Sequence, residues 1–144
     1  MKKLLTVAMC AVALACAGIT GPNYPDVAGT YRGPLTVTST ITPGSITGTM
    51  IMTVVQAGDQ LTITGSVTFL DETSQLPAIT GTINETGFFT VTAGGSSPRE
   101  SHPECGSMTT TSSTLNFSDQ TARFHQSVST TYCGSLSFDA TLTR

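Results

Sequence analysis

The sequence predicts an all-β domain, a single small eight-stranded antiparallel up-and-down barrel, with a two-sheet β-sandwich as the alternative. Three observations predict it. From Ala28 onward apolar and hydroxyl residues alternate with a period of two. Turns carrying Gly, Pro, Asp or Asn cut the alternation at short intervals. Finally, 28 Thr and 15 Ser make up nearly a third of the 144 residues, and β-branched Thr suits a pleated sheet.

Taken in order, Leu35, Val37 and Ile41 alternate with Thr36, Thr38, Thr40 and Thr42 in the first strand, which ends at the turn Pro43-Gly44-Ser45. Met50, Met52 and Val54 share one parity of the second, up to Ala57-Gly58-Asp59. Leu61, Ile63, Val67 and Phe69 mark the third, Ile79 and Ile83 the fourth, and Phe89 with Val91 the fifth. The polar stretch 93–104 is expected to be the longest loop. Strand six then runs from about 106 to Phe117, strand seven from about 120 to Tyr132, and strand eight carries Leu136, Phe138, Ala140 and Leu142. Closing the eighth strand onto the first removes both sheet edges.

Cys105 and Cys133 test this register. A two-residue turn at Ser118-Asp119 places Cys105 opposite Tyr132. A single bulge, or a three-residue turn centred on Asp119, would bring Cys105 opposite Cys133, so a Cys105–Cys133 disulfide is predicted.

Ahead of the domain, Met1-Lys2-Lys3 and an apolar run to Ala17 read as a bacterial secretory signal, too short to span a bilayer as a helix. Val12-Ala13-Leu14-Ala15-Cys16 resembles a lipobox, which implies a signal peptide over 1–16 and lipidation of Cys16. Ala15-Cys16-Ala17 also fits an ordinary signal peptidase, which would release a soluble periplasmic or secreted protein beginning at Gly18. Cys10, preceded by the large Met9, is signal filler. Residues 17–27 are rich in Gly and Pro and read as a flexible tether, leaving 28–144 as the all-β domain. Resemblance to lipoproteins of diderm bacteria implies, through Ala17, an outer-membrane destination.

Beyond the leader the chain has four arginines, no lysine and nine carboxylates, a net charge of −5. Such a surface cannot neutralise a row of phosphates, which argues against nucleic-acid partners. No nucleophile elbow, phosphate loop, C-x-x-C pair or H-E-x-x-H motif occurs. His102, Glu104 and Cys105 lie close together, but Cys105 is better explained by Cys133, so no metal site and no cofactor are expected. His125, on the parity opposite Phe124 and Val128, is expected to face solvent.

Gly29-Thr30-Tyr31 and Thr47-Gly48-Thr49 follow the pattern of the opening hairpin of avidin and streptavidin, which the segment 28–50 resembles. The resemblance implies a meander barrel of the avidin or lipocalin kind. It does not imply biotin binding, because Met50 stands where that family has an aromatic residue and the chain has no Trp.

The expected function is that of an exported, lipid-anchored envelope protein with a non-enzymatic barrel, either structural or binding an envelope protein partner or a small apolar ligand. Met50, Met52, Phe69, Phe89 and Phe124 are the candidate lining of such a ligand cavity, or else simply the filling of the barrel. A second reading is a surface adhesion or self-association module using ladders of Thr. A third places the apolar parity toward lipid, as in a small outer-membrane barrel.

Overall fold

Strands form where the alternation lies and end where a turn residue releases the backbone. The computed structural model describes residues 22–94, 100–102 and 104–144. Within them the strands are β1 (Gly29–Ser39), β2 (Ser45–Ala57), β3 (Gln60–Phe69), β4 (Glu72–Ile83), β5 (Phe88–Gly94), β6 (Glu100–His102), β7 (Gly106–Ser118), β8 (Thr121–Thr130) and β9 (Ser135–Thr143).

Neighbours run in the order β5-β4-β3-β2-β1-β9-β8-β7, and β5 pairs with β7 to complete a closed eight-stranded antiparallel barrel. The barrel, not the sandwich, is therefore the fold. β9 pairs with β1 as closure requires, from Arg32↔Thr143 to Ser39↔Leu136. The thin seam lies elsewhere, between β5 and β7, where only Phe88↔Asn116 and Phe89↔Leu115 pair. The segment 93–104, expected to be the longest loop, contains β6, which lies along the first residues of β7.

The apolar parity turns inward. Tyr31, Leu35, Met50, Met52, Val54, Leu61, Ile63, Phe89, Leu115, Phe117 and Leu142 are all buried, while most of the Thr-bearing parity faces out. This is the reverse of the arrangement a lipid-facing barrel needs. Outward threonines do meet across strands, as Thr30↔Thr53↔Thr64 and Thr49↔Thr68↔Thr73. Their hydroxyls pair at 3.4 Å between Thr30 and Thr53 and at 2.9 Å between Thr68 and Thr73.

The end of the barrel that the chain enters is sealed by residues assigned above to the tether. Val27 belongs to the core and Tyr24 packs against it. The Tyr31 hydroxyl donates to the Val27 carbonyl at 3.0 Å, and the Tyr31 ring meets Phe117 edge-on with centroids 5.6 Å apart. Gln56 accepts from the Val27 amide at 2.8 Å and donates to the Pro25 carbonyl at 2.9 Å. Arg144 Nη1 donates to the carbonyls of Asp26 at 3.2 Å and Ala28 at 2.8 Å. The flexible tether thus does not extend to residue 27, because burial of Val27 and this set of bonds hold Tyr24–Ala28 on the barrel. Residues 17–21 lie outside the described residues.

At the same end, the turn between β4 and β5 needs its glycine. Gly87 has φ 83° and lies so close to the Phe117 carbonyl that a Cβ would collide with it. Its own carbonyl accepts from the Phe117 amide at 2.8 Å.

The β7–β8 register brings the two cysteines together by an unexpected route. The turn is Asp119-Gln120, one residue later than expected, so Ser118 faces Thr121 and Phe117 faces Ala122 instead of Gln120, a shift of two on the partner strand. A bulge at Thr111 then takes back one residue of that shift, leaving Met108 opposite Thr130. Carried on, that register sets Cys105 against Cys133, at disulfide distance with Cα atoms 5.0 Å apart. β8 stops at Thr130, short of Tyr132, because the Thr130 hydroxyl donates to the Gly134 carbonyl at 2.8 Å and accepts from the Cys133 amide at 2.9 Å.

Candidate functional site

Of the residues singled out in the sequence, Cys16 and its signal segment lie outside the described residues. Cys105 and Cys133 stand together at the far end of the barrel, away from Val27. Met50, Met52 and Phe89 are buried members of the core, and Phe69 and Phe124 are half-buried and packed against it. These five residues act at least as barrel filling. Phe124 alone among them also borders a groove, and that groove is on the outside.

The groove crosses the outer rows of four strands. Pro34 and Thr36 of β1, Asp139 and Thr141 of β9, Arg123 and His125 of β8, and Thr114 and Asn116 of β7 line it. Pairing explains the placement: Thr36 faces Asp139, Asp139 faces His125, and His125 faces Thr114. The Arg123 guanidinium, on the same outward row as His125, has no ion pair or hydrogen bond among the described residues.

His125 is held from both sides. Its Nδ1 lies 2.7 Å from Asp139 Oδ1, and its Nε2 lies 3.2 Å from Ser127 Oγ. Asp139 Oδ2 in turn accepts from the Ser137 hydroxyl at 2.8 Å. These bonds from His125 and Ser137 hold the Asp139 carboxyl below its ordinary range, so it stays ionised and acceptor-only. In the neutral imidazole Nδ1 must then carry the proton, and Nε2 presents a lone pair to the Ser127 hydroxyl. The ring and the carboxylate remain open to solvent, with 43% and 56% of their side-chain surface exposed.

His125 faces outward as its parity requires. The chain of contacts Ser127–His125–Asp139–Ser137, however, was not anticipated. Asp139 and Ser137 are brought to His125 and Ser127 by the β8–β9 register, where His125↔Asp139 and Ser127↔Ser137 are successive outward pairs. The motif that would have marked them is a spacing of two within each strand, H-x-S in one and S-x-D in the other.

Neither potential metal chemistry nor kinship adds to this. Among the described residues no group of three or more His, Cys, Asp or Glu is placed to hold a metal ion. No family model and no curated protein matches the chain.

Proposed function

We propose that the chain is an exported cell-envelope protein, anchored through lipid on Cys16, whose barrel is a structural or interaction module working through its outer face. The observation that best supports export is the Cys105–Cys133 pair at disulfide distance, and how the barrel would hang from the anchor follows from the docking of Tyr24–Ala28. It leaves residues 17–23 between the anchor and the barrel, a segment that reaches at most about 25 Å. The sealed end of the barrel is thereby held near the bilayer. The end carrying the cysteine pair points away from it.

A Cys105–Cys133 bridge agrees with an oxidising compartment outside the cytoplasm. An apolar ligand inside the barrel is less well supported, since Met50, Met52 and Phe89 are already buried against their neighbours. The cross-strand threonine pairs are the observation that favours adhesion as a second reading, because they give the β1–β4 face a regular hydroxyl pattern.

Intact mass and membrane partition of the natively expressed full chain test the proposal. The expected product begins at Cys16, carries a diacyl or triacyl mass, fractionates with membranes, and is two hydrogens lighter than the reduced chain. Cys16→Ala moves it to the soluble fraction. An unacylated product beginning at Gly18 would overturn the anchor.

A further inference from the structure

The order Ser127 Oγ, His125 Nε2, His125 Nδ1, Asp139 Oδ1 is that of a nucleophile, a general base and the group that orients the base. We propose that Ser127 is an activated nucleophile, and that the Ser127–His125–Asp139 row hydrolyses small esters with good leaving groups. This goes beyond the anchored-module reading by giving the outer face a chemistry of its own.

Several features meet at this one place. Asp139 fixes the tautomer that leaves Nε2 free to take a proton, and Ser137 holds the second carboxylate oxygen so that Asp139 cannot swing away. The β7 bulge falls beside Ser127: Ser112 pairs with it, and the extra residue, Thr111, donates its hydroxyl to the Ser127 carbonyl at 3.1 Å. Bulges of this kind re-aim side chains and are common beside active sites. Ser127 itself is half-buried, which limits the directions its hydroxyl can take.

In the reaction, Ser127 Oγ forms a bond to the ester carbonyl carbon as its proton passes to His125 Nε2. The carbon–oxygen bond to the leaving group breaks, and His125 returns the proton to the departing alkoxide. Water then attacks the acyl-Ser127, giving a proton to His125 and releasing the acid, and Oγ is reprotonated. The balance is one ester and one water to one acid and one alcohol. Asp139 is a positioning residue. Among the described residues no hydrogen-bond donor is dedicated to the developing oxyanion, so the acceleration is that of general-base catalysis, about 10²–10⁴-fold, and suits esters with good leaving groups.

The test uses the full chain with two probes, a fluorophosphonate and p-nitrophenyl acetate. With the first, Oγ–P forms, P–F breaks and fluoride leaves. The expected result is one adduct, mapped to the peptide holding Ser127, and a transient acetyl group on the same residue with the second probe. Ser127→Ala abolishes both and lowers ester turnover at least about 100-fold, as does His125→Gln, whereas Ser129→Ala labels like the parent. Circular dichroism and an intact Cys105–Cys133 pair in each variant separate loss of chemistry from loss of fold. The proposal is overturned if adducts spread evenly over the serines, if His125→Gln labels at the parental rate, or if ester turnover persists in Ser127→Ala through acetylation of His125 alone.

Discussion

The two ends of the barrel are built differently. Where the chain enters, Val27, Tyr31, Leu61, Ala122 and Leu142 are at most 1% exposed, and Gln56 and Arg144 bind the entering backbone. At the other end Phe69 and Phe138 are only half-buried, and Ile41, Leu70 and Tyr132 are 63%, 91% and 72% exposed. The cysteine pair lies at this second end. The comparison teaches a division of labour: apolar packing holds the end nearest the proposed anchor, and a covalent link compensates where packing is thin.

The largest expected effect comes from breaking the packed end. Phe117→Ala removes a ring that lies edge-on to Tyr31, and a loss of about 3–5 kcal/mol is expected in urea unfolding. Next comes the covalent end. Opening the Cys105–Cys133 pair, whose sequence separation is 28, frees the denatured chain and is expected to cost roughly 3 kcal/mol, measured by unfolding with and without reductant. If reduction instead cost more than Phe117→Ala, the division of labour would be reversed.

A smaller loss, about 1 kcal/mol, is expected for Tyr31→Phe, which deletes the bond to the Val27 carbonyl. This substitution also carries a pH signature. Burial holds the Tyr31 hydroxyl above its ordinary value of 10.0, against a downward pull from Arg144 and with a smaller upward push from Asp26. A group whose pKa is raised by folding contributes stability that is complete below its unfolded value and lost as pH rises through the folded one. Stability should therefore fall above about pH 10, and Tyr31→Phe should flatten that part of the curve.

The smallest effect belongs to the outer row. Asp139 is held below its ordinary value of 3.8 by His125 and then Ser137, so its contribution is present above that value and fades as pH falls through the folded one. Because the pair is exposed, Asp139→Asn should shift stability by less than about 1 kcal/mol. A larger loss would make the row a structural device rather than a chemical one.

The fold was legible because one rule, a period of two with the apolar parity inside, governs most of the barrel from Leu35 to Leu142, although in β5 Val91 shares the parity of buried Phe89 and is exposed. The cysteine pairing was legible too, although it arises from a two-residue shift at the turn Asp119-Gln120 less one residue at the Thr111 bulge, which no local pattern reveals. The outer row was not. His125 and Asp139 are 14 residues apart and meet only in one register of β8 on β9. A slip of one would set His125 against Phe138 or Ala140, and the turn 131–134 that prevents it is fixed by Thr130 and Gly134 bonds that depend on the folded geometry. The docking of Val27 was hidden for a related reason. Gln56, which accepts from its amide, is 29 residues away, and Arg144, which holds the Asp26 and Ala28 carbonyls on either side of it, is more than 115 residues away.

Hydrogen exchange on the full chain tests the contrast between the two ends most directly. Amides of Tyr31, Met52, Leu61, Phe117 and Leu142 should exchange only by global unfolding, and the halves of β3, β4 and β9 near Phe69, Leu76 and Leu136 should exchange faster by local opening. Equal protection at both ends, or slower exchange at the end carrying Cys105 and Cys133, would contradict the account.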